Sequence, residues 1–201
     1  MADERTGVGE RKTFMPLAGV GVELNSRSSL SWVPDGVRLV AGEMFVSVEQ
    51  HAAGFHVEAG AARIAGNQGQ FNVSDIGTQL CVTCIDGALT AERSGDRVAL
   101  RAGEAVTWAA DGTMGRARID AAAAGAWRRG LLIHKGTPLA TAIGEINRYY
   151  PGRLVLRGSA LNARPVTGVF HVDQIELALV QIQQLTRVSA THLPGGVVLL
   201  G

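Results

Sequence analysis

The stretch "VRLVAGEMFVSV" (Val37–Val48) decides the fold of the first half of the chain, and it returns later as "VALRAGEAVTWA" (Val98–Ala109). In both copies apolar and polar residues alternate up to an Ala-Gly-Glu sequence, and a second segment rich in β-branched and aromatic residues follows. Alternation on both sides of a glycine predicts a strand, a turn and a second strand. Each copy is therefore predicted to form a β-hairpin.

The residues at the predicted turns support this interpretation. Gly42 and Gly103 can adopt the positive φ that a tight turn often requires, and Glu43 and Glu104 are expected to keep the exit from each turn solvated. A third hairpin turn is predicted at Asp86-Gly87 in "CIDGALTAE", because Asp-Gly between apolar segments is a strong hairpin signal. The first half of the chain is thus predicted to be a stack of β-hairpins.

Short strands separated by glycine turns recur up to about residue 120. The predicted strands are Lys12–Phe14, Val20–Leu24, Val37–Val40, Met44–Val48, Phe55–Glu58, Arg63–Ala65, Phe71–Ser74, Leu80–Ile85, Ala88–Glu92, Val98–Leu100 and Ala105–Trp108. This spacing is typical of an all-β sandwich, barrel or solenoid. The composition changes after "DAAAAGAWRRG", which places a domain boundary near Ala121–Ala126.

The length and charge of the chain limit the classes of protein to which it can belong. A chain of 201 residues with 46% apolar residues can form one large or two small domains with a core. The net charge is +1 with charges of both signs scattered, which argues against a nucleic-acid-binding surface. No apolar run approaches the ~18 residues of a membrane helix, and the acidic opening "MADERTGVGE" is not a signal peptide.

The C-terminal part carries two helical patterns. "GTPLATAIGEINRYY" predicts a helix with Thr137 as its N-cap and Pro138 at its first position. "DQIELALVQIQQL" predicts a second helix, in which Asp173 and Glu176 form a capping box. The apolar faces of the two helices comprise Leu139, Ala142, Ile143, Ile146 and Tyr150 in the first, and Ile175, Ala178, Leu179, Ile182 and Leu185 in the second.

Strand-like segments flank both helices. Leu131–His134 and Leu154–Leu156 bracket the first helix, and Val166–Val172 and Val188–His192 bracket the second. A final run, "GGVVLL", is expected to form a hairpin with Val188–His192. The sequence therefore predicts two βαβ units in one small α+β module.

Motifs that would indicate catalysis or a metal site are weak. The five histidines do not fall at metal-ligand spacing, and no nucleophile elbow or phosphate-binding glycine loop occurs. "CVTC" (Cys81–Cys84) lies in an alternating run that reads as a strand, where residues three apart are too distant for a disulfide. We therefore expect two free thiols, no cofactor, no metal and no enzymatic activity.

The C-terminal half, "WRRGLLIHKGTPLATAIGEINRYYPGRLVLRGSAL" followed by "VTGVFHVDQIELALVQIQQL", resembles the periplasmic region of FecR-family sigma regulators. Residues that fall on the family pattern are Trp127, Gly130, Pro138, Leu139, Glu145, Arg148, Tyr149, Gly152, Gly168 and Phe170. The segments "VELNSRSSL", "LVAGEMFVSV", "FHVEAGAARI" and "AGEAVTW" are similar to the β region of the family. Two departures, "NQGQF" and "MPLAGVGVEL", lie at predicted turns.

This resemblance implies a mainly β protein with four segments: residues 1–11 as a linker after a membrane helix, 12–120 as an all-β domain, 121–126 as a linker, and 127–201 as a βαβ-βαβ module. The module resembles the short N-terminal domain shared by secretins and TonB-dependent receptors. The chain is then expected to be a periplasmic fragment of a single-pass inner-membrane anti-sigma protein, with Met1 as the start of the fragment.

The resemblance also implies partners. The expected partner is the N-terminal signalling domain of a TonB-dependent outer-membrane receptor that imports a siderophore, and an ECF sigma factor is expected to bind a cytoplasmic segment outside this sequence. No nucleic acid is expected, and the membrane is expected to be reached only through an N-terminal helix outside the sequence.

The predicted binding surface is a strand edge, because unpaired backbone groups at the edge of a small sheet recruit a partner's strand. The first candidate, in "RPVTGVFHV", comprises Val166, Thr167, Gly168, Val169, Phe170 and His171. The second, in "RLVLRG", comprises Leu154, Val155 and Leu156. The alternative is that both segments are internal strands.

The sequence also leaves two other functions open. A cupin-like metal- or ligand-binding β protein would need a histidine cluster that the sequence lacks. A carbohydrate-binding β module would need stacking aromatics, and aromatic residues make up 5% of the chain.

Overall fold

The computed structural model describes residues 2–49, 55–77 and 79–201, and the chain divides into two compact units, Met1–Gly125 and Ala126–Gly201. The strands of the first unit are β1 (Glu4–Arg5), β2 (Lys12–Leu17), β3 (Val20–Leu24), β4 (Ser29–Val33), β5 (Gly36–Val48), β6 (His56–Ala59), β7 (Ala62–Ile76), β8 (Gln79–Arg93), β9 (Asp96–Arg101), β10 (Glu104–Ala109) and β11 (Met114–Arg118). One short helix, α1 (Ala121–Ala124), follows them. This unit is called the β domain below.

All of these strands belong to one 11-stranded sheet, which confirms the mainly β fold class. Its centre consists of the long strands β5, β7 and β8, and the pairs β5–β7 and β7–β8 are antiparallel. Strand β6 is parallel to the first residues of β5, whereas most other pairs are antiparallel. Buried side chains from β3 to β10 form one hydrophobic cluster, so the β domain has a single core.

The first Ala-Gly-Glu sequence is not a hairpin turn, because β5 runs through it without interruption. The first part of β5 lies between β4 and β6, and the part after Gly42 lies between β3 and β7. Gly42 has a φ of +95° and abuts Ser28, whose backbone Cα would lie 2.7 Å from a Cβ at this position. The predicted hairpin is therefore a bend at which one strand changes neighbours.

At the second Ala-Gly-Glu sequence the chain forms two separate strands, β9 and β10, instead of one continuous strand. The chain turns at Gly103, but β9 and β10 do not pair with each other. They lie one after the other along β8, with β10 beside its first residues and β9 beside its last ones. Asp86-Gly87, the third predicted hairpin turn, lies inside the continuous strand β8, where Gly87 faces Gly69 of β7. Gly42 and Gly87 thus lie within longer strands, and Gly103 lies at a turn between two strands that do not pair with each other.

Of the two echoed glutamates, Glu43 departs from the solvated turn exit that the sequence suggested, and Glu104 does not. The Glu43 carboxylate accepts hydrogen bonds from the amide groups of Asn25 (2.7 Å) and Asn72 (2.9 Å), both of which are buried. Glu104 accepts one exposed hydrogen bond, from the backbone N–H of Arg101. Glu43 is therefore part of a buried polar network, whereas Glu104 closes a surface turn.

The segments proposed as linkers are structured in part. In residues 1–11, β1 pairs with β4, and the buried Thr6 donates its hydroxyl to the carbonyl of Asn25. In residues 121–126, α1 is capped by the Asp120 carboxylate, which accepts from Ala122 N, and α1 packs against β8. The division between the two units falls after Gly125.

The second unit, called the module below, comprises β12 (Leu131–Pro138), α2 (Leu139–Ile146), β13 (Arg153–Leu156), β14 (Pro165–His171), α3 (Ile175–Thr186), β15 (Ala190–Leu193) and β16 (Val197–Leu200). The order is βαβ-βαβ with a final hairpin strand, as predicted. Strands β12 and β14 form a two-stranded antiparallel sheet. Strand β16 lies between β13, which is parallel to it, and β15, which is antiparallel.

The helix termini differ from the sequence predictions. Helix α2 starts at Leu139 after Pro138, so Thr137 lies within β12 and is not an N-cap. Gln174 precedes α3 without a side-chain cap, and Asp173 lies in a 3-10 turn, so the predicted capping box does not form. Both predicted apolar faces are otherwise buried in one core, except that Tyr150 lies beyond the end of α2 and Leu185 is exposed.

None of the helices in the described part of the chain is long and apolar enough to cross a membrane.

Candidate partner-binding surface

The first candidate segment forms β14, an edge strand of the two-stranded sheet. Val166 and Phe170 are buried in the module core, and Thr167, Val169 and His171 are exposed on the opposite face. The strand therefore has one apolar face and one solvent face. A partner can reach the backbone and the outer side chains of β14, but not the side chains of its core positions.

The backbone register determines which groups of β14 face away from β12. The N–H of Val172 donates to the carbonyl of Gly130, just beyond the paired residues Leu131 and His171. Because backbone groups alternate in direction along an antiparallel strand, Gly168 and Phe170 direct theirs toward β12. Thr167, Val169 and His171 direct theirs away from it. Among the residues that the structure describes, β14 has β12 as its sole strand neighbour.

Gly168 is needed for the packing of Phe170. A Cβ at position 168 would lie 3.0 Å from the Cζ atom of Phe170, so the Phe170 ring lies across the space that a side chain would fill. The same ring packs beside the imidazole of His134, at a centroid distance of 5.6 Å. On the inner face of β14, the Phe170 ring therefore fills the space next to Gly168.

The second candidate segment lies in the other sheet of the module. Leu154, Val155 and Leu156 form most of β13, which pairs with β16. The outward-facing N–H of Leu154 donates to the Asn147 side-chain oxygen at 2.7 Å, and the Asn147 amide donates to the Leu154 carbonyl at 2.9 Å. The side chain of Asn147 thus occupies the place of a neighbouring strand at the middle of this edge.

Asn147 is the residue that the sequence interpretation missed. It directly follows α2, and the only local signal is a polar residue at a helix C-terminus before the "PG" turn. Of the two candidate edges, which lie in different sheets, β13 is capped by Asn147 and β14 keeps its outward groups available. The structure does not bring the two segments together into one surface.

His134 is the buried titratable group nearest to β14. It lies on β12 opposite Gly168, and its Nε2 atom is 3.9 Å from the Glu145 Oε2 atom of α2. No hydrogen-bond partner of Nε2 lies among the described residues. Burial lowers the pKa of His134 below its usual value, because the charged imidazolium would lose its hydration.

The lowered pKa of His134 predicts that acid destabilises the module. The folded state binds this proton less readily than the unfolded state, so the stabilisation is complete above the unfolded pKa of about 6.5 and is lost as the pH falls below it. We expect the melting temperature to fall between pH 7.5 and pH 5.5, and the His134→Leu variant to show a smaller fall. The exposed His171→Leu variant is the control, and equal slopes in both variants would contradict the prediction.

The remaining groups give no metal site in the described residues. No group of three or more His, Cys, Asp or Glu side chains comes together there, and His51 lies outside the described residues. The cupin-like alternative thus gains no support from the arrangement of these side chains. Cys81 and Cys84 lie on β8, in the strand that the sequence predicted, and neither is in a disulfide; burial raises the pKa of the Cys84 thiol to about 11.

Two crystal structures of a candidate anti-sigma factor from Parabacteroides distasonis ATCC 8503 share this fold. One, at 1.65 Å resolution, is 22% identical with a TM-score of 0.86, and the match covers 98% of this chain and 97% of that chain. The other, at 2.50 Å, is 22% identical with a TM-score of 0.84, and the match covers 98% of this chain and 96% of that chain. No curated protein matches the chain significantly.

The family comparison concerns the β domain. Residues 2–90, from β1 into β8, match the model of the family described as FecR protein. This segment contains the first Ala-Gly-Glu bend and the Asn25–Glu43–Asn72 network. The match agrees with the resemblance noted in the sequence: over residues 2–90, the chain is similar to the FecR family.

Proposed function

We propose that this chain is the periplasmic signal-receiving region of an inner-membrane anti-sigma protein. In this role it binds the N-terminal signalling domain of a TonB-dependent outer-membrane siderophore receptor. The signal then passes to an ECF sigma factor through a cytoplasmic segment outside the sequence. The observation that carries the proposal is the match of residues 2–90 to FecR, because this family consists of membrane-anchored signalling regulators and not of enzymes known to turn over a substrate.

The module supports a binding role on physical grounds. Its two small sheets leave strand edges that have no neighbour among the described residues, and backbone groups at such an edge gain hydrogen bonds when an extended segment of another protein pairs with them. The β domain has a core of its own and most of its strands have neighbours on both sides. We therefore assign the receptor contact to the module and a supporting role to the β domain.

The division of labour predicts where the affinity lies. The test uses the purified N-terminal signalling domains of the TonB-dependent receptors of the source organism, titrated one at a time against the whole chain in a calorimeter. At least one should bind. Residues 126–201 should then bind it within about tenfold of the whole chain, a difference of roughly 1.4 kcal/mol.

The control for this titration is the β domain alone, residues 1–125, with circular dichroism showing that each part is folded. The two units have separate hydrophobic cores, so each is expected to keep its structure. Binding of the receptor domain by the β domain alone would show that the assignment to the module is wrong. Failure of every receptor domain to bind the whole chain would contradict the proposed function itself.

A further inference from the structure

A groove runs along the outer edge of β14. Its floor and one wall are formed by Thr167–Phe170, and its other wall is the flank of α3 that carries Gln181, Gln184 and Leu185. Its volume is about 440 Å³. Leu185 of α3 is 58% exposed, so its aliphatic side chain is in contact with solvent. It lies beside β14, whose outward backbone groups have no strand neighbour among the described residues.

The two sheets of the module differ in width, and this explains the groove. One has the three strands β13, β16 and β15, whereas the other has only β12 and β14. Helix α3 packs on β14 through its buried residues, and the narrow sheet ends before it reaches the Leu185 flank. A third strand placed beside β14 would lie over this flank and would cover Leu185.

The residues that line the groove indicate which kind of partner strand can bind there. The described residues that line the groove are Thr, Gly, Val, Phe, Gln and Leu, and none of them is charged. A charged side chain directed into the groove would lose hydration without gaining an opposite charge. Gln181 and Gln184 offer amide groups for hydrogen bonds, and Leu185 offers an apolar contact. The complementary strand is therefore extended and uncharged on the face that it turns toward α3.

The outward groups of Thr167, Val169 and His171 set the backbone geometry of the same strand. They repeat every second residue, which is the spacing at which a neighbouring strand donates and accepts. The edge of β13 lacks this set, because Asn147 already binds both groups of Leu154. Edge and groove coincide at β14, so backbone and side-chain recognition can occur together there.

We propose that the β14–α3 groove binds an extended, uncharged segment of the receptor signalling domain, which adds to β14 as the third strand of its sheet. This inference rests on the proposed function and specifies its contact. It assigns the affinity to backbone pairing at Thr167, Val169 and His171, and the selectivity to the α3 flank. Val166 and the β13 segment then support the surface without touching the partner.

The test uses the whole chain and a receptor signalling domain that binds it in calorimetry. Val169→Pro removes one outward N–H donor, and Leu185→Glu places a charge in the groove; each should weaken binding at least tenfold. His192→Pro is the matched control for Val169→Pro. Ser189 and Gly201 exchange backbone hydrogen bonds, and because directions alternate along β15, the N–H of His192 points away from β16. Leu177→Glu, on α3 but outside the groove and 50% exposed, is the control for the second.

Folding and contact are measured separately. Circular dichroism and melting curves identify any variant that unfolds, and hydrogen exchange of the unaltered chain should show slower exchange at the Thr167, Val169 and His171 amides in the complex. Unchanged exchange at these amides, or full binding by both folded β14–α3 variants, would overturn the inference while leaving the proposed function intact. If no receptor domain binds even the unaltered chain, the proposed function fails and this inference fails with it.

Discussion

The Gly42→Ala variant is expected to lose about 3 kcal/mol of the free energy of unfolding of the β domain. A non-glycine residue at positive φ costs roughly 1–2 kcal/mol, and Gly42 has a φ of +95°. The new Cβ would also lie 2.7 Å from the Cα atom of Ser28, so backbone must move, and overpacking of this kind costs about 1–3 kcal/mol. Urea unfolding followed by circular dichroism measures the loss.

The echoed glycine supplies the control for this experiment. Gly103 also has a positive φ, of +81°, but a Cβ there would meet nothing closer than the Ile119 carbonyl oxygen at 3.7 Å. Gly103→Ala should therefore cost only the conformational part, about 1 kcal/mol. Equal losses in the two variants would show that the contact with Ser28 does not determine the stability of the bend.

The comparison of the two Ala-Gly-Glu copies shows why the sequence predicted strands well and their connections poorly. Alternation on both sides of a glycine is the same in a hairpin and in a strand that bends. The difference depends on which strand lies alongside: β4 and then β3 beside β5, and β8 beside both β9 and β10. The pairs β4–β5 and β8–β9 join neighbours in sequence, but β3–β5 and β8–β10 join segments about 20 or more residues apart, so no local pattern encodes the change of neighbour.

The helices and the strand order of the module were predicted more closely than the strand connections of the β domain, because they depend on local sequence patterns. The spacing of apolar residues in α2 and α3 defines both helices, and short turns set the order of the strands. The helix starts were wrong, since Pro138 and Gln174 take the positions before the first helical residue without side-chain caps. Leu185 fits the apolar period of α3, yet the two-stranded sheet is too narrow to bury it.

The candidate site was predicted in part for the same reason. An edge at "RPVTGVFHV" follows from strand order, and β14 is indeed an edge strand. The groove needs the flank of α3, and the exclusion of β13 needs the side chain of Asn147 to meet Leu154 across a turn. Both are tertiary contacts between residues whose types are unremarkable in the sequence.

The buried network at Glu43 leads to the second large expected effect. Its carboxylate binds the side-chain amides of Asn25 and Asn72, which come from opposite sides of β5. Truncation in Glu43→Ala leaves two buried amide donors without this acceptor, and a buried donor that loses its partner costs about 1–3 kcal/mol. We expect a loss of about 3 kcal/mol in the free energy of unfolding of the β domain, measured by urea unfolding of the whole chain.

The matched control is Glu104→Ala in the second copy of the same phrase. Glu104 accepts one exposed hydrogen bond, from Arg101 N, so its removal should cost about 1 kcal/mol or less. A Glu43→Gln variant refines the test, because its amide oxygen can accept from only one of the two asparagines while its amide nitrogen faces another donor. It should fall between the unaltered chain and Glu43→Ala. If Glu43→Ala and Glu104→Ala are equally stable, the two asparagines find other acceptors and the network does not hold the bend of β5 in place.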